Sequence, residues 1–286
     1  MKFENIRTYN FENALRGMRN PKESYDLCDS DFGFGDGEKV FDIAKTLVDK
    51  YKNEPSEDNI KKYAEKIIIA EKNNIYEYAA IGPNDMKLAK NLIRAGSEHR
   101  KFMRQIFVSV DITAPLYWWK EADTYKIATV SNSTSTMHTI HKKPITLDCF
   151  EIGDYDNSLP MIDDINLGVR VDCFIDDLEQ LRNLYLMYNE KAKAAPDDSP
   201  EKAEYEHQAK CYWKELIRWL PESWIQTRTW TGNYENLLGI CGKGQRRHHK
   251  LSEWSKCDDS EVIDSFIKFA RSLPYAQDFI FLDEIL

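Results

Sequence analysis

The sequence lacks the features that mark a membrane or secreted protein. Its 286 residues contain no apolar run near the ~18–20 residues that a bilayer span requires. Residues 1–19 lack the apolar stretch of a signal peptide. These two absences predict a cytoplasmic protein with no membrane partner.

Closely spaced cysteines are also missing. No two of the six cysteines lie within four residues of each other, which excludes the paired motifs of zinc and thioredoxin-type sites. No acidic or cysteine ligand stands at metal-ligand spacing from His248 and His249, so no metal site is predicted. There is no Gly-x-Ser-x-Gly nucleophile motif either. If the protein is an enzyme, we therefore expect a bound cofactor to carry the chemistry.

The chain has no excess of positive charge. The 39 Lys and Arg against 48 Asp and Glu give a net charge of −9. Since nucleic-acid binders usually present a net basic face, nucleic acid is not an expected partner. The hydrophobic fraction of 42% is ample for a core, and the 7 Trp, 15 Tyr and 13 Phe are expected to fill it before they line any flat-ring pocket.

The spacing of apolar residues predicts a mostly helical α+β protein with a small antiparallel or mixed sheet. Residues 106–113 alternate apolar and polar side chains, which is typical of a half-buried strand. Two long helices around a break at 196–200 are expected to form an antiparallel pair. We expect a single domain over 1–286, with an irregular segment at 1–37 and helices at 38–51, 57–73 (capped by Ser56), 84–95, 116 onward, 176–195, 201–220, 233–240 and 261–273.

Two polar segments flank the predicted strand. Residues 97–105 carry His99, Arg100 and Arg104. Residues 129–136 are a run of hydroxyls with one amide, interrupted only by Val130. Such a run is either a solvated loop or a wall of hydrogen-bond donors for a phosphate or a planar heterocycle, and the pattern leaves both open.

A third polar segment, residues 243–250, is basic. It reads Lys-Gly-Gln-Arg-Arg-His-His-Lys in a chain of net negative charge. It is either a solvated basic loop or a phosphate-binding segment, since convergent cations recognise anions. The guanidinium forks of Arg246 and Arg247 suit the two oxygens of a phosphate.

These polar segments also carry a family resemblance. The matching text is Ala14–Pro21, Ala95–Glu121, Asp123–Lys126, Ser131–His138, Leu220-Pro221, Gln226–Asn236 and His249–Trp254. It resembles the flavin-dependent thymidylate synthases, and in particular the divergent enzymes of bacteriophages. The matches extend from about residue 14 to 275.

Aligning the family signature adds detail to that resemblance. Its Arg-His-Arg falls on Tyr125-Lys126-Ile127, its Asn-Glu on Asn132-Ser133, its second Ser on Ser135 and its Arg-Tyr on Met137-His138. Asn132 and Ser135 are the retained positions, and Lys126 keeps one positive charge. The guanidinium groups of the signature are replaced.

The resemblance implies a flavin-dependent thymidylate synthase-like fold and a homotetramer whose active sites are shared between subunits. It implies methylation of deoxyuridylate (dUMP) at C5 to give dTMP, with FAD as cofactor and NADPH and methylenetetrahydrofolate as co-substrates. The residues implied to bind cofactor are His99, Arg100, Arg104, Lys126 and Asn132. Those implied to bind the pyrimidine deoxynucleotide are Ser133, Ser135, His138, Arg246, Arg247 and His248. A phage-encoded copy would act in the host cytoplasm.

Two alternative functions remain consistent with the sequence. The chain could be a catalytically degenerate nucleotide-binding or interaction protein that retains the fold, or a nucleic-acid modification factor that uses residues 243–250. The aromatic run Tyr117-Trp118-Trp119 exceeds what one small core layer needs. We expect part of its surface to be buried between subunits.

Overall fold

The computed structural model describes residues 1–161, 165–242 and 248–285. These residues fall into two compact units, described separately below. The larger unit is formed by Lys2–Ile112, Tyr125–Asn132 and Thr229–Leu286, and the smaller by Met1, Thr113–Thr124 and Ser133–Arg228. The single domain expected over 1–286 stays a prediction.

The described residues form seven strands and twelve α-helices. The strands are β1 (Lys2–Tyr9), β2 (Asp31–Gly35), β3 (Ile68–Lys72), β4 (Ile75–Ala80), β5 (Phe107–Pro115), β6 (Val130–Ser133) and β7 (Ile225–Asn233). The helices are α1 (Phe11–Arg19), α2 (Gly37–Lys50), α3 (Glu57–Ile67), α4 (Pro83–Ala95), α5 (Leu116–Ala122), α6 (Thr136–Thr139), α7 (Leu167–Ala194), α8 (Pro200–Arg218), α9 (Tyr234–Leu237), α10 (Ser252–Ser255), α11 (Phe266–Ser272) and α12 (Ala276–Phe279).

The strands form two small sheets, in the orders β1-β5-β7-β6 and β2-β4-β3. In the second sheet, β4 is antiparallel to both neighbours. In the first, Asp111 faces Thr229 while Thr113 faces Thr227, so β5 and β7 also run in opposite directions. The predicted fold class, mostly helical with small antiparallel sheets, is confirmed.

The core of the larger unit is built on one face of β5. Ile106, Val108, Val110 and Ile112 are buried, as their alternation predicts. A second group of buried rings packs nearby, in which Phe11 meets Tyr234 edge-on with ring centroids 5.6 Å apart. Paired rings of this kind add to the area that they bury.

The smaller unit is organised by α7 and α8. Ile175 and Leu178, early in α7, share a buried cluster with Leu216, late in α8. The end of α7 meets the start of α8, where Tyr188 contacts Tyr205. The predicted antiparallel pair is therefore confirmed, although α7 begins at Leu167 rather than at residue 176.

The expectation of an irregular segment at 1–37 is wrong. This segment contains β1, α1 and β2. β1 has no regular apolar alternation, and its sheet position is fixed by β5, for example through the 2.7 Å bond from Asn5 Nδ2 to Asp111 Oδ2. The glycine-rich residues 31–37 form β2 and then the start of α2, where the Asp36 side chain accepts from the backbone N–H of Lys39.

Two predicted helices are too long. The helix expected at 57–73 begins correctly, with Ser56 as its cap, but ends at Ile67. Ile68–Lys72 pairs with β4 instead, because a short run of isoleucines suits a strand as well as a helix. The helix expected at 261–273 begins only at Phe266, where the Ser265 side chain caps it.

The aromatic run on α5 is interior to one chain. Trp118 and Trp119 are each only 1% exposed. The indole Nε1 of Trp119 donates to the carbonyl of Gln226 at 3.0 Å. These two tryptophans therefore leave no surface for a partner subunit, whereas Tyr117 is half-buried. Burial of part of the aromatic run between subunits stays a prediction.

Candidate nucleotide-binding site

The start of α9 is fixed by local sequence. The Asn233 side chain accepts from the backbone N–H of Asn236, and the Asn236 side chain accepts from that of Asn233, both at 3.0 Å. This reciprocal cap satisfies N–H groups that a helix start otherwise leaves without a partner. The backbone N–H of Tyr234 donates to the carbonyl of Ile106 at 3.1 Å, so α9 is also bound to the entrance of β5.

Asn236 joins α9 to the segment that aligns with the family signature. Its Nδ2 donates to the carbonyl of Ile127 at 2.8 Å. This bond spans 109 residues and holds the Tyr125-Lys126-Ile127 backbone at the helix start. The Ile127 side chain itself is 85% exposed.

Two arginines from the segment before β5 lie beside the same helix. Arg100 Nε donates to both carboxylate oxygens of Glu235, at 2.8 and 3.0 Å. Arg104 Nη2 lies 4.0 Å from Glu235 Oε1 and donates to the carbonyl of Ser97 at 3.4 Å. We call Arg100, Arg104, Glu235, Asn236 and the Ile127 carbonyl the α9 cluster.

The α9 cluster carries an excess of one positive charge, because two guanidinium groups share one carboxylate. Arg100 is partly buried and bonded to Glu235, whereas the Arg104 side chain is 47% exposed. Guanidinium groups recognise phosphate oxygens well. The cluster can therefore hold an anion through Arg104 while Arg100 stays with Glu235.

A small cavity lies next to Arg100. Its volume is ≈ 220 Å³, and Ile93, Gly96 and Leu238 are among its lining residues. Small-molecule sites usually measure ~300–1,000 Å³. Arg94 and Arg100 line it together with the carboxylate of Asp283, and its volume does not fit the flavin ring system together with the rest of FAD. The described residues of one chain thus do not form a whole flavin site around the α9 cluster.

The structure places the predicted cofactor-binding residues unevenly. Arg100 and Arg104 meet at Glu235, and Lys126 is exposed beside the Ile127 carbonyl. His99 is exposed in the turn before Arg100. Asn132 is exposed on β6. Their roles as cofactor ligands stay predictions.

Of the predicted substrate-binding residues, three lie in the smaller unit. Ser133 ends β6 and is exposed, Ser135 is half-buried just before α6, and His138 on α6 is exposed. Arg246 and Arg247 lie outside the described residues, and His248 is exposed. The assigned roles of all six stay predictions.

Part of the hydroxyl run, around Thr134, is hydrogen-bonded to β7. The backbone N–H of Thr134 donates to the carbonyl of Thr227 at 2.9 Å. Gln226 Nε2 donates in turn to the carbonyl of Thr134 at 2.8 Å. The backbone at Thr134 therefore pairs with β7, while the Thr134 side chain is exposed. This pairing tests neither interpretation of the run, and its role in binding stays a prediction.

Arg228 is a residue whose place the sequence reasoning missed. Its guanidinium lies over the Trp119 ring, 4.3 Å from the centroid, and its Nη1 donates to both carboxylate oxygens of Asp123 at 3.0 and 3.1 Å. The available signal was the alternation of Gln226 and Arg228 on one strand face, and Arg228 Nε indeed donates to Gln226 Oε1 at 3.0 Å. Asp123 is 105 residues away in sequence, so that partner could not be inferred.

The described residues contain neither a metal-ligand cluster nor a membrane-spanning helix. No three His, Cys, Asp or Glu side chains in that part of the chain cluster as metal ligands would. None of the helices within it is long and apolar enough to cross a membrane.

Comparison with known proteins gives similarity at the level of structures alone. No protein-family profile matches the chain, and no curated protein sequence matches it. A flavin-dependent thymidylate synthase ThyX from Helicobacter pylori, complexed with FAD and dUMP, shares 14% identity at a TM-score of 0.42, over 90% of this chain and 97% of that one. A second ThyX structure from H. pylori with FAD and dUMP shares 12% at 0.39, over 90% and 98% of the two chains. A UMP/dUMP methylase PolB from Streptomyces cacaoi, bound with 5-Br UMP, shares 12% at 0.32, over 70% and 85%.

Proposed function

We propose that the chain binds a pyrimidine deoxynucleotide and modifies C5 of its uracil ring. The observation that supports this is the convergence of three segments that carry the family resemblance. Arg100 comes from residues 95–121, Ile127 follows residues 123–126, and Asn236 ends residues 226–236. The first two segments are neighbours in sequence, whereas the third lies more than a hundred residues away, with Asn236 109 residues from Ile127. All three meet at the start of α9.

Within this proposal, Arg104 binds the nucleotide phosphate. Its side chain is exposed and lies 4.0 Å from a carboxylate that Arg100 already neutralises. A phosphate approaching from solvent meets a guanidinium that Glu235 does not saturate. Arg100 and Asn236 act as positioning residues, since each is bonded to protein groups.

Reduced flavin, when bound, supplies the hydride for a methylation of this class, with methylenetetrahydrofolate as the carbon donor and NADPH as the reductant. Around the α9 cluster, the residues that the structure describes in one chain do not enclose that group. We therefore propose that a homotetramer, as the resemblance implies, completes the site, and we assign this chain's own residues to nucleotide binding only.

The test is titration calorimetry with dUMP. Arg104→Ala removes the exposed guanidinium and should weaken binding by at least about tenfold, because a charge-assisted hydrogen bond contributes ~1.5–3 kcal/mol. The matched control is Lys101→Ala, which removes an exposed cation three residues earlier whose nearest partner is Glu98 at 3.5 Å. Binding by wild type and Lys101→Ala, with loss in Arg104→Ala, supports the proposal. Equal affinities in all three proteins would contradict it.

A second function, nucleotide binding without catalysis, is favoured by one observation. Where the family signature has its second arginine, this chain presents the side chain of Ile127, which is 85% exposed and carries no charge. The absorbance spectrum after incubation with FAD separates the two functions. A protein that retains FAD and shows flavin bands supports the enzyme, and a colourless protein that still binds dUMP supports the second function.

A further inference from the structure

A larger cleft lies elsewhere in the larger unit, away from the α9 cluster. We call it the α3 cleft: its walls are the second half of α3 with Ile68, and residues 271–278 between α11 and α12. Its volume is ≈ 510 Å³, within the ~300–1,000 Å³ of small-molecule sites. The proposed function makes no use of it.

The charges in this cleft are centred on Asp278. Lys66 Nζ lies 2.7 Å from its Oδ2, and Lys90 Nζ lies 2.6 Å from its Oδ1. The carboxylate is 10% exposed, whereas the two lysines are 33% and 25% exposed. Each carboxylate oxygen thus has one ammonium partner, and the three groups together keep one positive charge.

The other charged groups of the cleft do not cancel that excess. Arg271 is balanced by Glu284, which accepts from both of its terminal nitrogens at 2.7 and 2.8 Å. Lys62, one helical turn before Lys66, and Glu65 contribute one charge of each sign at the rim. In a protein of net charge −9, this is a local basic site around a nearly buried carboxylate.

The floor of the cleft is apolar. Leu273 and Pro274 line it together with the ring of Tyr275. The Tyr275 hydroxyl is turned into the core, where it donates to the carbonyl of Ala79 at 2.6 Å and accepts from the N–H of Ile81 at 3.1 Å. Lys66 Nζ lies 5.2 Å from the centroid of the Tyr275 ring, so the cation and the floor are adjacent.

The Lys66 ammonium retains capacity for another ligand. It has three N–H donors, and its salt bridge to Asp278 uses one direction. Its other contacts are the faces of the Tyr275 and Tyr63 rings, whose centroids lie 5.2 and 5.6 Å from Nζ. These are weak attractions, and the Lys66 side chain is still 33% exposed. An incoming oxyanion would also relieve the repulsion between the two ammonium groups on Asp278.

We infer that the α3 cleft binds a small organic oxyanion, with its phosphate or carboxylate group on Lys66 and Lys62 and a short apolar part against Leu273 and Pro274. This site is separate from the nucleotide site proposed above. A phosphate and a carboxylate would bind the lysines in the same way, as oxyanions. The relative affinities of the probes below distinguish the two groups.

The experiment is calorimetric titration of the full chain with phenyl phosphate, benzoate and inorganic phosphate. We expect phenyl phosphate or benzoate to bind, and whichever binds more tightly identifies the group that the lysines prefer. Inorganic phosphate should bind more weakly than phenyl phosphate, because it lacks the apolar part. Equal affinity for phenyl phosphate and inorganic phosphate would overturn the assignment of the apolar floor. If neither phenyl phosphate nor benzoate bound at concentrations up to about 10 mM, the site itself would be overturned.

Variants locate the binding. Lys66→Met should weaken it at least tenfold, and Lys62→Met, an exposed substitution that leaves the core intact, about threefold. The matched control is Lys61→Met, whose side chain is exposed on the same helix and paired with Glu57 at 2.8 Å. It should bind as wild type does, and circular dichroism checks that all three variants are folded.

Two outcomes with the variants would also overturn the inference. One is wild-type affinity in both Lys66→Met and Lys62→Met. The other is loss of binding in Arg104→Ala instead, which would place the probe at the α9 cluster and leave the proposed function intact. Conversely, loss of dUMP binding in Arg104→Ala together with loss of phenyl phosphate binding in Lys66→Met would support both sites independently.

Discussion

In the α9 cluster two guanidinium groups lie beside Glu235, whereas in the α3 cleft two ammonium groups lie beside Asp278. The excess charge is the same, but the distances differ. Glu235 has one close partner, Arg100 at 2.8 Å, and a distant one, Arg104 at 4.0 Å. Asp278 has two close partners, Lys66 at 2.7 Å and Lys90 at 2.6 Å.

Because of this difference, stabilising the fold and binding a ligand are assigned to separate cations in one region and to the same cation in the other. At α9 the roles are divided: Arg100 stabilises the fold, and Arg104 is left for a ligand. In the α3 cleft both roles fall on Lys66, which holds Asp278 and also faces the open volume. Substitutions should therefore dissociate stability from binding at α9 and couple them in the cleft.

The largest expected effect is that of Asp278→Ala. Removing this nearly buried carboxylate leaves two ammonium groups facing each other, so the free energy of unfolding should fall by about 3 kcal/mol. Glu235→Ala should cost only about 1 kcal/mol, because the Glu235 side chain is 17% exposed against 10% for Asp278 and has one close cationic partner rather than two. Urea unfolding measures both.

Glu98→Ala is the control for that comparison. Glu98 is exposed, and within the described residues its ion pair is a 3.5 Å contact with Lys101. Its unfolding free energy should match that of wild type. Equal losses in Asp278→Ala and Glu235→Ala would break the distinction between the two regions.

The next effect concerns the floor of the cleft. Tyr275→Phe removes a hydroxyl that is buried and bonded to Ala79 and Ile81, and should lower the free energy of unfolding by about 2 kcal/mol. Burial raises the pKa of this hydroxyl well above its ordinary value, so it stays protonated and donating at any pH of interest. Thermal unfolding at neutral pH tests this, with Tyr9→Phe, an exposed tyrosine, as the unchanged control.

Arg104→Ala and Lys66→Met test the division of roles directly. Arg104→Ala should leave the free energy of unfolding within about 0.5 kcal/mol of wild type while dUMP binding weakens about tenfold. Lys66→Met should lower both stability and oxyanion affinity. A parallel loss of stability in Arg104→Ala would contradict the assignment of that residue to a ligand.

The smallest effect is a dependence on pH. Burial by itself raises the pKa of Asp278, but the ammonium groups of Lys66 and Lys90 outweigh it and hold that pKa below its ordinary value. A depressed carboxyl pKa stabilises the fold above the unfolded-state pKa of about 3.9, and this contribution is lost as the pH falls through the folded-state pKa.

The difference in unfolding free energy between wild type and Asp278→Asn should accordingly stay constant from about pH 7 to pH 5 and shrink below about pH 4. Urea unfolding across that range measures it. A difference that grows on acidification would show that the ion pairs with Lys66 and Lys90 do not stabilise the fold.

The sequence predicted elements wherever local pattern and local chemistry agree. The alternation over 106–113 marked β5, Ser56 marked the start of α3, and the break at 196–200 marked the α7–α8 pair. β1 and β3 were not predicted, because partner strands stabilise them and neither has a regular apolar pattern of its own.

The two charged regions were predictable to different degrees. Arg100 and Arg104 stood in a recognisable segment, although Glu235 lies 135 residues from Arg100 and could not be assigned to it. Lys66, Lys90 and Asp278 belong to no motif, and α3, α4 and α12 bring them together only in the fold. Pairing at such distances follows from topology, which residue spacing does not encode.

The order of strands in the four-stranded sheet also governs how the chain can fold. Asn5 on β1 meets Asp111 on β5 across 106 residues, and Asp111 meets Thr229 on β7 across another 118. Loops of this length close slowly, so contacts of this kind form late, after local pairs such as α7 with α8. During synthesis, β1 and β5 leave the ribosome long before β7 exists. β5 thus lacks its β7 partner until Asn233 has emerged, and an unpaired strand edge of this kind is open to misassociation during that interval.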